Sequence, residues 1–202
     1  MEKYDLVVIG SGPAGEKAAV KAAYFGYRVA LIEKEKCFGG AGVNTGTLPS
    51  KTLKETALYF SGNKEKGLFG VERILQHQAT IKDFMFHKNI VSTSEGDEVE
   101  RNLHQHKVDI YQGTASFEDS HTVKISGEKE HKIYGDYIIL ATGSYPFHPE
   151  EIPFDGKRIH DSDTILEITR IPQSICIVGA GVIGCEYVTI FAEMGCKVYL
   201  IN

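Results

Sequence analysis

YDLVVIGSGPAGEKAAVKAAYFGYRVALIE, residues 4–33, decides the fold. Residues 4–9 form a short apolar run rich in branched side chains and ending at a glycine, the pattern of a strand buried on both faces in a parallel sheet. Residues 13–25 are rich in Ala and Lys and have good helix propensity. Residues 28–32 form a second buried strand, which Glu33 ends. Strand, helix and strand make one βαβ unit. Between the first strand and the helix stand Gly10, Gly12 and Gly15. The first permits a tight turn, the second lets the backbone approach a pyrophosphate, and the third lets the helix pack on the strand. The helix start then presents unpaired N–H groups to phosphate oxygens. A carboxylate at Glu33 can accept from both hydroxyls of a ribose. Glycine spacing alone says little, but strand, glycines, helix, strand and acid in this order read as a dinucleotide-binding unit.

The unit recurs. Residues 174–178 and 197–201 read as buried strands and residues 182–194 as the helix between them. Gly179, Gly181 and Gly184, with Val182 and Ile183 as spacers, repeat the glycine pattern. Gly179 to Asn202 spans 23 positions, as does Gly10 to Glu33. Two such units imply two dinucleotides, one held tightly and one exchanging. Asn202, in the place of Glu33, can still bond a ribose hydroxyl but carries no charge to repel a 2′-phosphate, so this position does not exclude NADP.

Between the two units lies GGAGVNTGTLPSK, residues 39–51, a loop of small residues running into a helix from about Pro49. Residues 80–106 read as a long helix with a break near Gly96. Residues 108–111 read as a strand, and 115–117, 122–125 and 132–134 as a small antiparallel meander. Residues 137–141 are a further buried strand, ending in Thr142 and Gly143. Residues 144–173 hold four of the six prolines and read as a linker. The expected architecture is α/β. A Rossmann-like first domain with an inserted antiparallel meander covers residues 1–150. A linker follows over 151–173, and a second Rossmann-like βαβ unit begins over 174–202.

Composition narrows the function classes. The 202 residues are 42 % apolar and 24 % charged, the balance of a globular protein. The net charge of −5 argues against nucleic acid as a main partner. No apolar run reaches the roughly 20 residues that cross a bilayer, and the N-terminus lacks a small-residue cleavage site, so no membrane partner is expected and the expected compartment is the cytoplasm. The four cysteines, Cys37, Cys176, Cys185 and Cys196, form no Cys-x-x-Cys pair and no zinc spacing. They are expected to be buried, reduced thiols. The eight histidines are scattered, and no metal site is expected.

Two dinucleotide units flanking a GG…PSK loop and an Ala-Thr-Gly strand end resemble the FAD-dependent pyridine nucleotide-disulfide oxidoreductase family. The resemblance covers the whole chain. GTLPSKTLKETALY (46–59), IHDSDTIL (159–166) and GAGVIGCEYVTIFAEMGCKVYLIN (179–202) are most similar to its soluble NAD(P) transhydrogenase branch. The resemblance implies FAD on the first unit and NAD(P) on the second. Gly10, Gly12 and Gly15 would hold the FAD pyrophosphate, and Glu33, with Lys34 beside it, the adenosine ribose. Gly39, Gly40, Ala41 and Gly42 would pass along the dinucleotide. Gly113, Thr114 and Ala115 would touch adenine by their backbone, and Ala141, Thr142 and Gly143 would contact the flavin nucleotide. Lys51 would lie beneath the flavin ring and pair with Glu186 near the nicotinamide, where a cation stabilises the charge that reduction brings.

The family's dithiol members carry cysteines where this chain has Gly42 and Thr47. Attack on a disulfide requires a thiolate, which neither residue supplies. Dihydrolipoamide-type chemistry is therefore disfavoured, and hydride traffic between NADPH and NAD through FAD is expected. The alternatives are a dihydrolipoamide-dehydrogenase-like enzyme and a nucleotide-binding piece without activity. Family members continue beyond the equivalent of Asn202 with ribitol contacts and a dimerisation domain that these residues do not include. FAD affinity of the 202 residues alone is expected to be weak.

Overall fold

The computed structural model describes residues 1–61 and 80–202. In chain order it contains β1 (Glu2–Ile9), α1 (Pro13–Tyr24), β2 (Val29–Glu33), α2 (Gly40–Asn44), α3 (Thr47–Phe60), α4 (Ile81–Gln105), β3 (Asp109–Gln112), β4 (Thr114–Phe117), β5 (Thr122–Ser126) and β6 (His131–Leu140). A 3₁₀ turn (Thr164–Glu167), β7 (Ser174–Val178), α5 (Val182–Glu193) and β8 (Lys197–Ile201) follow. Contacts divide the chain into two units: Met1–Asn44 with Thr93–Tyr145, and Thr45–Ser92 with Pro146–Asn202. This grouping differs from a single cut near residue 150. The mixed α/β architecture with a largely parallel sheet is the expected one.

The first unit is built on one six-stranded sheet in the order β3-β2-β1-β6-β5-β4. β3, β2, β1 and β6 run parallel, and β5 and β4 continue antiparallel. Every residue of β2 is buried, as its unbroken Val-Ala-Leu-Ile run requires of a strand covered on both faces. Tyr4, Val7, Ala30 and Ile32 join Val123, Ile125 and Ile133 in a core on one face. Val8, Val29 and Leu31 pack on the other with Ala19 of α1 and Leu103 of α4.

Two expectations for this unit are corrected. Residues 132–134 and 137–141 are not separate strands: β6 runs unbroken through Gly135. Continuous parallel pairing with β1, from Glu2 opposite Ile133 to Ile9 opposite Leu140, carries it across the glycine. A side chain at 135 would come within 2.8 Å of Val7 Cγ2, so the glycine serves close packing. Nor does α4 break at Gly96. That residue is buried within a continuous helix, and a Cβ there would meet the Phe38 carbonyl oxygen at an ordinary contact distance of 3.4 Å.

In the second unit β7 and β8 pair in parallel. Leu53 and Ala57 of α3, Phe84 of α4, Leu166, and Tyr187, Ile190 and Phe191 of α5 form its core. α3 starts at Thr47, two residues before the expected start. Pro49 then occupies the third helical position, where no intrahelical N–H bond is lost. The cysteines are also corrected: Cys37, Cys176 and Cys185 are exposed, and only Cys196 is buried, where burial pushes its thiol up. Cys176 lies on β7, whose residues alternate between exposed and half-buried, so the apolar run did not imply burial of each member. No helix among the described residues is long and apolar enough to cross a membrane.

Candidate dinucleotide sites

Both glycine turns adopt one geometry. Gly10 and Gly179 have φ of +105° and +101°, a conformation that favours glycine. The N–H of Gly10 donates to the Ile32 carbonyl at 2.8 Å, and that of Gly179 to Ile201 at 2.7 Å. This register places Asn202 in the second unit where Glu33 stands in the first. A Cβ on Gly15 would lie 1.9 Å from the Gly10 carbonyl oxygen, and one on Gly184 would lie 2.0 Å from that of Gly179. Those glycines are required by the fold itself. Gly12 and Gly181 are not. Both are extended helix N-caps with no side-chain cap bond. A Cβ on Gly12 would meet nothing closer than 3.9 Å, and one on Gly181 nothing within 4 Å. Open space beside a bare glycine, at a helix start with free N–H groups, fits a phosphate-bearing ligand.

Around the first turn the sheet gathers most of the expected residues. Ser11 donates to one oxygen of Glu33 from its N–H at 2.9 Å and from its hydroxyl at 2.6 Å. Glu35 N–H donates to the other oxygen at 2.9 Å. The Ser11 hydroxyl in turn accepts from Gly39 N–H at 3.2 Å, which ties the glycine turn to the start of the GG loop. Gly40, with φ of +55°, faces Gly12 closely enough that a Cβ would come within 2.9 Å of the Gly12 Cα. Asn44 holds the short α2 by donating to Phe38 and Gly40 carbonyls, both at 3.0 Å. Ala41 and Gly42 lie on α2, and a Cβ on Gly42 would meet the Pro13 ring at 3.3 Å. Lys34 is exposed, 3.6 Å from Glu35.

Gly113 N–H donates to the Glu33 carbonyl at 2.8 Å, and Thr114 and Ala115 open β4 opposite Ser126 and Ile125. Ala141 N–H donates to Ile9 at 2.8 Å, and its carbonyl oxygen stands where a Cβ on Gly10 would fall. Thr142 and Gly143 follow it, exposed. Thus segments 10–15, 33–34, 39–42, 113–115 and 141–143 belong to one unit. Ser11 and Asn44 were not anticipated. A hydroxyl between the first two glycines, with an acid closing the next strand, was the available signal for Ser11.

In the second unit a cavity of about 650 Å³ opens beside Gly179, Gly181, Val182 and Ile183, with Tyr187 and His160 also on its wall. His160 Nδ1 is buried and without a hydrogen-bond partner among the described residues, an orphan that a polar ligand atom would satisfy. The IHDSDTIL stretch is built into this wall. Asp161 accepts from Thr164 N–H at 2.7 Å, Thr164 Oγ1 at 2.8 Å and Asp163 N–H at 3.0 Å, and from His148 on its other oxygen. Burial pushes this carboxyl up, but those donors outweigh it and hold the group at about 2. Tyr187 OH donates to the Ser162 carbonyl at 2.8 Å, fixing α5 to the same stretch. Glu186 is half-buried on α5 and accepts from the Ser50 hydroxyl at 3.0 Å. Lys51 is exposed on α3. The structure shows no ion pair between Lys51 and Glu186. Asn202 is exposed beyond β8, and the position equivalent to Ser11 is Ala180, which has no hydroxyl to offer it.

A family model described as pyridine nucleotide-disulphide oxidoreductase matches residues 4–202. A soluble pyridine nucleotide transhydrogenase of Mycobacterium tuberculosis (strain ATCC 25177 / H37Ra) is 42 % identical over 205 residues, covering 100 % of this chain and 44 % of that protein. One from Hahella chejuensis is 39 % identical over 218 residues, covering 99 % and 43 %. Among solved structures, the HOCl-induced flavoprotein disulfide reductase RclA from Escherichia coli matches with a TM-score of 0.83 and 30 % identity, over 98 % of this chain and 42 % of that one. The chain therefore spans less than half the length of the curated relatives it matches. With matched glycine turns and a family match over nearly its whole length, the chain belongs to the pyridine nucleotide-disulphide oxidoreductase family.

Proposed function

We propose that this chain is part of an FAD-dependent oxidoreductase that moves hydride between NADPH and NAD without a redox dithiol. One observation carries the reading: two glycine turns of the same geometry stand in a chain with Gly and Thr at the family's two cysteine positions. FAD, when bound, supplies the centre that accepts and returns the hydride. Residues 1–150 are assigned to FAD, 151–173 to a linker and 174–202 to the start of the NAD(P) unit. Gly12 and the α1 N-terminus bind the FAD pyrophosphate, Glu33 orients the adenosine end, and segments 39–42, 113–115 and 141–143 line the rest. Gly181 and α5 take the exchanging nucleotide. Lys51 would supply the cation that stabilises negative charge on reduced flavin, and Glu186 would serve the nicotinamide side. The relatives named soluble transhydrogenases favour this acceptor over a disulfide, and the missing thiolate points the same way. The reading places the protein in the cytoplasm.

The test is reconstitution of the full chain with FAD, followed by NADPH oxidation with an NAD analogue and, separately, with lipoamide. Turnover of the NAD analogue alone supports the reading. Turnover of lipoamide, or none by a protein that holds stoichiometric flavin, refutes it.

A further inference from the structure

We infer that Ser50 is the positioning residue for Glu186, a role that rests on the hydride-transfer reading above. Ser50 is only 5 % exposed. Its hydroxyl has three acceptors in reach: Glu186 Oε2 at 3.0 Å, the Gly46 carbonyl at 3.1 Å and the Thr47 carbonyl at 3.5 Å. It has one hydrogen to give. The carboxylate is both the nearest and the only charged acceptor, and charge-assisted bonds are the stronger ones. Gly46 loses nothing by this choice, because it also receives the Ser50 N–H at 3.4 Å.

Packing leaves the pair little freedom. Ser50 lies one turn before Leu53, and Glu186 lies beside Tyr187; both neighbours are in the unit's core. Tyr187 is held in turn by its bond to Ser162. α5 therefore cannot roll to withdraw Glu186 without breaking that bond. A glutamate side chain loses rotamer freedom when it is ordered. A buried serine, with one torsion, is a fixed donor that sets the carboxylate in place before any nucleotide arrives. Ser50 faces inward to Glu186, while the next residue, Lys51, is exposed. The two adjacent positions thus divide the work: one orients the acid, the other presents the cation.

Four variants of the full chain, Ser50→Ala, Ser50→Thr, Glu186→Gln and the last combined with Ser50→Ala, test this with and without FAD. In the flavin-free protein carrying ¹³C-glutamate, the Glu186 carboxyl resonance, identified by its loss in Glu186→Gln, moves in Ser50→Ala and returns in Ser50→Thr. In the FAD-loaded protein, Ser50→Ala lowers the rate constant of flavin reduction by NADPH about tenfold, the size of one lost charge-assisted bond. NADPH affinity stays within about twofold, and Ser50→Thr regains most of the rate. Adding Ser50→Ala to Glu186→Gln costs less than Ser50→Ala costs alone, because the acceptor left in Glu186→Gln carries no charge. An unmoved resonance, an unchanged reduction rate, or fully additive losses overturn the proposal. If the unmodified protein holds FAD but NADPH does not reduce it, the hydride reading falls, and the resonance still decides the Ser50–Glu186 bond.

Discussion

Ser11 gives both its backbone N–H and its hydroxyl to a single oxygen of Glu33, at 2.9 and 2.6 Å, and takes the Gly39 N–H on the same hydroxyl at 3.2 Å. The acid that closes β2 thus has a structural task as well as its proposed role toward a ribose. It draws the first glycine turn and the GG loop together.

Ser11→Ala removes one donor from a buried carboxylate and the partner of Gly39. Hydrogen bonds to charged groups are worth roughly 1.5–3 kcal/mol, and the variant is expected to lose about that much stability. Urea unfolding followed by circular dichroism measures it, and a loss below about 0.5 kcal/mol, the ordinary range for surface changes, counts against the network.

The three glycines of each turn are expected to separate by function. Gly15→Ala and Gly184→Ala drive a methyl to 1.9 and 2.0 Å from a carbonyl oxygen. Each should cost about 3 kcal/mol or more, the upper end for overpacking. Gly12→Ala meets nothing closer than 3.9 Å. It should fold like the parent and lose FAD affinity about tenfold or more, some 1.4 kcal/mol. Thermal melts beside flavin titrations distinguish the two outcomes. A Gly12→Ala protein that binds FAD normally removes the pyrophosphate assignment.

Asp161 makes the second unit acid-sensitive. Its carboxyl, ordinarily at 3.8, is held at about 2 in the folded protein. A depressed folded value means that the stabilisation is complete above the unfolded value. It is lost as pH falls from about 4 towards about 2. Asp161→Asn should be less stable at neutral pH and should lose that part of the acid dependence. Melting temperatures from pH 7 to pH 2 check this, and parallel curves for parent and variant refute it.

Gly96→Ala addresses the continuous α4. Alanine is favoured over glycine by roughly 0.5–1 kcal/mol within a helix. The added methyl meets Phe38 at an ordinary 3.4 Å. A gain of about that size is expected from chemical denaturation, and a loss implies that the Phe38 segment cannot yield.

Residues 4–33 and 174–202 carried their fold openly, because the βαβ unit is a local device. Branched apolar runs, a glycine turn and a helix start all lie within 30 residues, and the first and third glycines of each turn answer a local backbone or steric demand. The two strand–glycine–helix arrangements were legible in this way, as was the absence of cysteine at 42 and 47. The extents of β6 and α4 were not. Residues 132–134 and 137–141 read as separate strands and Gly96 as a breaker, yet pairing with β1 joins the strands and α4 runs on through Gly96.

The Ser50–Glu186 bond joins residues 136 positions apart and has no trace in spacing. It exists because Leu53 and Ala57 pack with Tyr187 and Ile190 and bring two helix starts together. The sequence by itself determined the two βαβ units, the family and the Gly and Thr at positions 42 and 47, all of which are read along the chain. Tertiary structure alone decided which hydroxyl meets which carboxylate, because that depends on side chains that only packing makes neighbours.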